Sequence, residues 1–529
     1  MDSDLSAISR LRILVVDDDP GWREELLSSV LRRLEEFAGQ STRVDTADDE
    51  IQGREKLASA DYDLAVVDLS LLGKPPDGKD PDDRGFELLR KIRTDPSQRR
   101  CGVLVVTGVP TGDRMHRALR EFGATRVVVK PEYEDRDDPE EFLLDLAKAA
   151  ILEGRVRGTA ERRRSRAYLT MTFNGTGWID SELRSPAGKV PDRIESAKFD
   201  IDDYVRRADN INLLLVNDKA NVGWRKEMAS LGESLFKTVA AVPKLYDKWS
   251  GSKPLVKERG DLWLRFRSPS EGLGVPVDLM REGTEYFCRR HVLSRELIRT
   301  GFTRALAPFS EFISELASQN LPLRILLVGA NGDGKIPAVD EEVRQLSLAI
   351  TADLRRIGLR CDPTVLTGDA ASYGRVKKEL QKGRHHVFHY AGHGRYDGDH
   401  PEASGLLLRH EGGTRALTAG DLSQVVSSDL QLVYLSCCLG AVNKSQPASD
   451  EFCGIYGALA QANVPTVMGY RWVVRDAAAL LFAATFYAHL WRTLCPGEAV
   501  LEARREAAMG EWGLDDHTWA APVLLMQSP

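Results

Sequence analysis

At 529 residues the chain exceeds what one hydrophobic core usually holds, so two or three domains are expected. Its 42% hydrophobic and 29% charged residues exclude a fibrous or wholly disordered chain, and a net charge of −7 gives no whole-chain case for nucleic acid. Seven cysteines without zinc spacing read as reduced thiols, Met1–Arg10 lacks a secretory pattern, and the longest apolar run, Ala477–Leu490, is too short for a bilayer; a cytoplasmic protein with no membrane partner is predicted.

Residues 11–150 alternate predicted strand and helix. Ile13–Val16 runs into Asp17, Asp18 and Asp19; Leu64–Val67 into Asp68; Val103–Val106 into Thr107; Arg126–Val129 into Lys130. Continuous apolar runs of this length suit strands buried on both faces. In a parallel α/β sheet they bring acids, a hydroxyl and a lysine to one carboxyl edge. Asp17, Asp18 and Asp68 then form a hard oxygen site suited to Mg²⁺. Asp68 can attack a phosphoryl group, and Thr107 and Lys130 can bind the phosphate. This order resembles the receiver domain of two-component response regulators. The resemblance implies a flavodoxin-like fold over residues 1–152 and phosphorylation of Asp68 by a histidine kinase or a small phosphodonor. Two features depart from the pattern: Val127 fills the usual aromatic position before the lysine, and the loop Leu72–Gly85 is longer and richer in charge, Pro and Gly.

Leu143–Leu152 is predicted as the last receiver helix, and 153–167 as a solvated basic linker. Lacking interleaved aromatics, the Arg155–Arg166 run is a poor nucleic-acid arm. Short strands are predicted at Tyr168–Phe173 and Leu213–Val216, an amphipathic helix at Trp224–Tyr246, and an alternating strand at Leu262–Phe266. Val275–Met280 and Arg289–Leu293 argue no chemistry of their own; Cys288 and His291 read as core or surface residues. Arg324–Val328 is a strand followed by Gly329–Lys335, the start of a P-loop pattern. Ile336 stands where that loop needs a Mg²⁺-binding hydroxyl, so an NTPase is disfavoured, and the glycines read as the turn before a helix over Ala338–Leu359.

Two further buried strands end in reactive side chains. Val387–Ala391 runs into Gly392-His393-Gly394, and Leu430–Leu435 into Ser436-Cys437-Cys438. An imidazole and a thiol at neighbouring strand ends suit nucleophilic catalysis, with Gly394 and the Cys438 amide as backbone donors to an oxyanion. His389–Gly394 with Leu435–Cys438 resembles the paired motifs of the CHAT family, caspase-like cysteine peptidases related to separase. The resemblance implies an α/β fold with a degenerate half at 168–320, its sheet continuing into a catalytic half at 321–529. It also implies Cys438 as nucleophile, with Cys437 where the family has alanine, and a protein substrate with no cofactor for the peptidase. Related peptidases carry Trp-x-Val-x-Asp where this chain has Trp472, Val474 and Asp476, which implies an Asp476-lined pocket for Arg or Lys; the same aspartate also reads as a helix cap. A catalytically silent scaffold is the alternative function. Val523–Met526 is predicted as a final edge strand.

Overall fold

The computed structural model describes residues 11–35, 42–71, 84–108, 111–173, 179–185, 188–192, 200–217, 223–241, 243–256, 260–298, 306–331, 336, 338–395, 400–438, 449–510 and 516–527. Most of the long loop after Asp68, and Lys335 of the P-loop-like segment, lie outside them.

Strands β1 (Arg12–Val16), β2 (Arg43–Ala47), β3 (Leu64–Val67), β4 (Gly102–Thr107) and β5 (Arg126–Val129) form a parallel sheet in the order β2-β1-β3-β4-β5. This is the flavodoxin-like order expected from the sequence. Alternation divides its apolar residues between two faces. Ile13, Val15, Leu64, Val66, Leu104 and Val106 share one core with the helix Pro139–Ser165. Leu14, Val16, Ala65, Val67, Val103 and Val105 share the other with the helices Glu50–Ser59 and Arg84–Thr94.

The helix Pro139–Ser165 corrects the sequence reading at the domain junction, because it carries on through the segment expected to be a solvated linker. Glu, Arg and Ala sustain it, and its two glycines serve close packing. A Cβ on Gly154 would lie 2.5 Å from the Gly102 amide nitrogen, so helix and β4 touch backbone to backbone. Arg155 donates to the Trp491 carbonyl and to Asp63, each at 3.0 Å. Burial pushes Glu498 upward most strongly, yet Arg100, Arg166 and Arg162 together hold its pKa down at about 2.

The remaining strands are β6 (Ala167–Phe173), β7 (Ile179–Ser185), β8 (Gly188–Asp192), β9 (Leu262–Ser268), β10 (Arg281–Glu282), β11 (Glu285–Tyr286), β12 (Val292–Leu297), β13 (Leu323–Ala330), β14 (Cys361–Leu366), β15 (Val387–Arg395), β16 (Gly405–His410), β17 (Gly413–Thr418), β18 (Leu432–Cys438), β19 (Thr466–Tyr470) and β20 (Pro522–Met526). Apart from the β10–β11 hairpin they form one sheet whose main path is β14-β13-β15-β18-β19-β20-β12-β9-β6-β7-β8. The two halves therefore share a sheet. Their joint is β20, antiparallel to β19 and parallel to β12. The final strand is thus internal, which corrects the edge expected for it; its Val523, Leu524 and Leu525 are wholly buried.

Leu213–Val216, expected as a strand, lies in the helix Ile201–Asn217. Tyr204, Ala208, Ile211 and Leu215 are buried apolar residues on it, and that spacing of three and four is helical.

Candidate functional sites

The acids of the first sheet converge as expected. Asp17 follows β1, Asp68 follows β3, Thr107 ends β4 and Lys130 follows β5. One oxygen from each of Asp17, Asp18 and Asp68 lies within 4.8 Å of the others. Lys130 Nζ sits 2.9 Å from Asp68 Oδ2 and 2.8 Å from Asp17 Oδ2. The Ser70 amide donates to Asp68 Oδ1 at 3.0 Å. Burial, reinforced by the charge of Asp68, raises Asp17 to about 6 against the pull of Lys130. Three oxygens gathered in a half-dry hollow with one lysine suit a divalent cation and a phosphoryl group.

Val127 is half-buried on β5, and another aromatic pair borders the site. The Trp22 ring lies 5.1 Å from Lys130 Nζ and 5.5 Å from the Tyr133 ring. Arg114 also reaches the site, donating from Nη2 to Ser70 Oγ at 3.2 Å. Sequence reasoning missed Trp22, Tyr133 and Arg114, since none of them sits at a strand end.

In the larger sheet β15 pairs with β18 in parallel from Val387↔Leu432 to His393↔Cys438. The strand expected to stop at Ala391 continues through His393 to Arg395, because its last residues bend over to pair with β16 at Gly394↔Leu406. Tyr390 pins this bend: its hydroxyl lies 2.7 Å from the His393 carbonyl and 2.8 Å from that of Leu407. Gly392 is obligatory beside it, since a Cβ there would meet the Tyr390 hydroxyl at 2.6 Å. His393 is half-buried and Gly394 buried.

Cys437 is 2% exposed and packs in the core with Tyr390, Leu435 and Tyr456. On the other face, His389 stacks on Tyr434 with ring centroids 4.7 Å apart. His389 Nδ1 lies 3.2 Å from the Tyr487 hydroxyl and Nε2 lies 3.4 Å from Glu342 Oε1. Tyr434 and Tyr470 share a 2.8 Å hydroxyl contact. Burial foremost lifts the Tyr434 and Tyr487 hydroxyls far above the usual phenol range, so both stay protonated. The floor beneath the strand ends is therefore polar but neutral at the tyrosines, and it fixes both strands.

Trp472 and Val474 are buried, with Trp472 Nε1 donating to the Ala520 carbonyl at 3.1 Å. Asp476 is exposed in the first turn of the helix Asp476–Thr493; the cap position belongs to Arg475, so the cap reading of Asp476 is corrected. An acid there still complements the helix dipole.

Asp278, for which the sequence offered no chemistry, is a buried tie between the halves. It accepts from Arg295 at 2.5 Å and Arg504 at 2.7 Å. Burial raises its pKa, but Arg295 and Arg504 prevail and leave it at about 2. Arg471, directly after β19, donates to the Gly274 carbonyl at 2.7 Å.

Comparison with known proteins gives two family matches. The model described as CHAT domain matches residues 231–527, and that described as response regulator receiver domain matches residues 13–137. Among solved structures, a CheY-like receiver domain protein from Methanospirillum hungatei is 28% identical; the match covers 28% of this chain and 97% of that one, with a TM-score of 0.21. The receiver domain of an HD domain-containing protein from Pseudomonas fluorescens is 25% identical over 27% of this chain and 97% of its own, with a TM-score of 0.20. No curated protein matches.

Proposed function

The chain belongs to the CHAT family and carries an N-terminal receiver domain, and from that premise we propose a caspase-like cysteine endopeptidase controlled by phosphorylation of Asp68. In this reading His393 takes the thiol proton of Cys438, and the thiolate attacks the scissile carbonyl. The Gly394 and Cys438 amides hold the oxyanion. His393 then protonates the leaving amine and deprotonates the water that hydrolyses the thioester.

The observation that carries this reading is the register pairing of His393 with Cys438 on adjacent parallel strands. Neighbouring residues on an extended strand take opposite faces. Cys437 is buried in the core cluster of this face, so the pairing favours its neighbour as nucleophile.

On the receiver side, Asp17, Asp18 and Asp68 would hold Mg²⁺, which supplies positive charge for the transferring phosphoryl oxygens. The Thr107 hydroxyl and Lys130 bind those oxygens. A histidine kinase or small phosphodonor is the upstream partner, and a protein is the substrate. Asp476 recognises Arg or Lys before the scissile bond, desolvated only when substrate covers it.

Labelling with a peptide bearing an electrophilic ketone tests the nucleophile. The expected adduct maps to Cys438 by mass spectrometry, disappears in Cys438→Ala and persists in Cys437→Ala. An adduct on Cys437 in the native protein contradicts the assignment.

A further inference from the structure

We propose that Arg114 is a second cationic ligand for the phosphoryl group on Asp68, reaching it from the side opposite Lys130; this rests on the reading that Asp68 is phosphorylated. The two oxygens of Asp68 face different partners. Oδ2 takes Lys130 Nζ at 2.9 Å, and Oδ1 takes the Ser70 amide at 3.0 Å. Arg114 Nη2 is hydrogen-bonded to the hydroxyl of that same Ser70 at 3.2 Å. The guanidinium therefore stands one small side chain away from the acceptor carboxylate, on its Oδ1 side.

The position is built into the fold. Arg114 lies in the first turn of the helix Gly112–Arg120, which is capped by Thr111 through the Arg114 amide itself. The side chain is half-buried and directed back across the carboxyl edge of the sheet, where Ser70 follows β3.

Charge supplies the reason for a second cation. Lys130 Nζ contacts the carboxylates of Asp17 and Asp68, and Arg23 Nη1 donates to the Asp17 main-chain carbonyl at 2.7 Å. When the Asp68 carboxylate becomes an acyl phosphate, it exchanges one negative charge for about two. With a divalent cation bound and Lys130 in place, one negative charge is left over, and Arg114 cancels it. A guanidinium also matches phosphate oxygens in a planar fork that an ammonium cannot form.

The chemistry balances without Arg114 moving a proton. The bond from phosphorus to the donor's leaving atom, an imidazole nitrogen in a histidine kinase or a carboxyl oxygen in acetyl phosphate, breaks, and a bond from phosphorus to an Asp68 oxygen forms. The donor departs with the electron pair. Water later adds its oxygen to phosphorus and returns Asp68 as a carboxylate. Arg114 is a binding residue for the phosphorylated state, exchanging its Ser70 partner for a phosphoryl oxygen.

The test uses the full chain with Mg²⁺ and beryllium fluoride, a mimic of the phosphoryl group, titrated by calorimetry. Radiolabelled acetyl phosphate runs in parallel, with Asp68→Ala as control. Arg114→Ala is expected to bind beryllium fluoride about tenfold more weakly, the loss of one charge-assisted hydrogen bond. Arg114→Lys should recover part of that affinity, and Mg²⁺ alone should bind all three proteins equally, which a merely structural role would not give. Equal beryllium fluoride affinity in the native protein and Arg114→Ala overturns the inference alone. So does an Arg114→Ala loss that appears equally for Mg²⁺ by itself. Absence of label on Asp68 in the native protein overturns the phosphorylation reading, and this inference with it.

Discussion

Asp278 takes two guanidinium groups on its carboxylate, and all three side chains are buried. Removing one member of such a set leaves charge buried without its counterpart, which costs roughly 3–5 kcal/mol. Asp278→Asn should therefore lower the thermal midpoint of the C-terminal region sharply. Asp476→Asn, at an exposed helix start, should stay within about 1 kcal/mol of the native protein. Calorimetric unfolding of the two variants checks the contrast. Sequence alone marked His393 and Cys438 because glycines and small residues flag strand ends. Asp278 was opaque, since nothing in Val275–Met280 announces that arginines from β12 and the helix Pro496–Met509 will arrive on it. Arg114 was opaque for the same reason: its partner Ser70 is 44 positions away.

Elements that gather charge or tight packing have consequences of their own. The helix Pro139–Ser165 was half legible: its first turns carry an apolar stripe, while its last turns read as solvated charge. Arg162, and Arg166 just past the helix, meet the buried Glu498, which Arg100 also reaches. Glu498 has its pKa depressed from 4.5 to about 2, so its contribution is complete above about pH 4.5 and is lost as pH falls toward 2. Glu498→Gln should weaken the junction at neutral pH, and its stability deficit against the native protein should shrink steadily between pH 5 and 2. Paired thermal unfolding across that range measures the deficit; one that grows on acidification contradicts the assigned sign. The same helix is a poor protease target. Limited trypsin digestion should spare the Arg162–Arg166 run, where Arg166 is buried, until the protein is unfolded. A rapid native cut there would show that the helix opens.

Across the whole molecule, the receiver joins the CHAT region through the end of its sheet away from the acids. Asp63 stands just before β3 and bonds to Arg155, whereas Asp68 follows the same strand. A strand of this length spans roughly 13 Å, so a phosphoryl signal has to cross the sheet or travel down the helix Pro139–Ser165 before it reaches the β15–β18 edge. At this scale the sequence was most informative: four strand-end motifs resembling a receiver domain implied the flavodoxin-like sheet, although the edge strand β2 was not foreseen. It was least informative at β20, because terminal position says nothing about which strands a segment separates. The proposed peptidase activity and its proposed control are tested together by one rate. Cleavage of a protein or peptide-library substrate by the full chain is measured with and without acetyl phosphate and Mg²⁺, beside Cys438→Ala and Asp68→Ala. Cleavage should respond to the donor in the native protein, persist without response in Asp68→Ala and vanish in Cys438→Ala; undiminished cleavage by Cys438→Ala would contradict the assigned nucleophile.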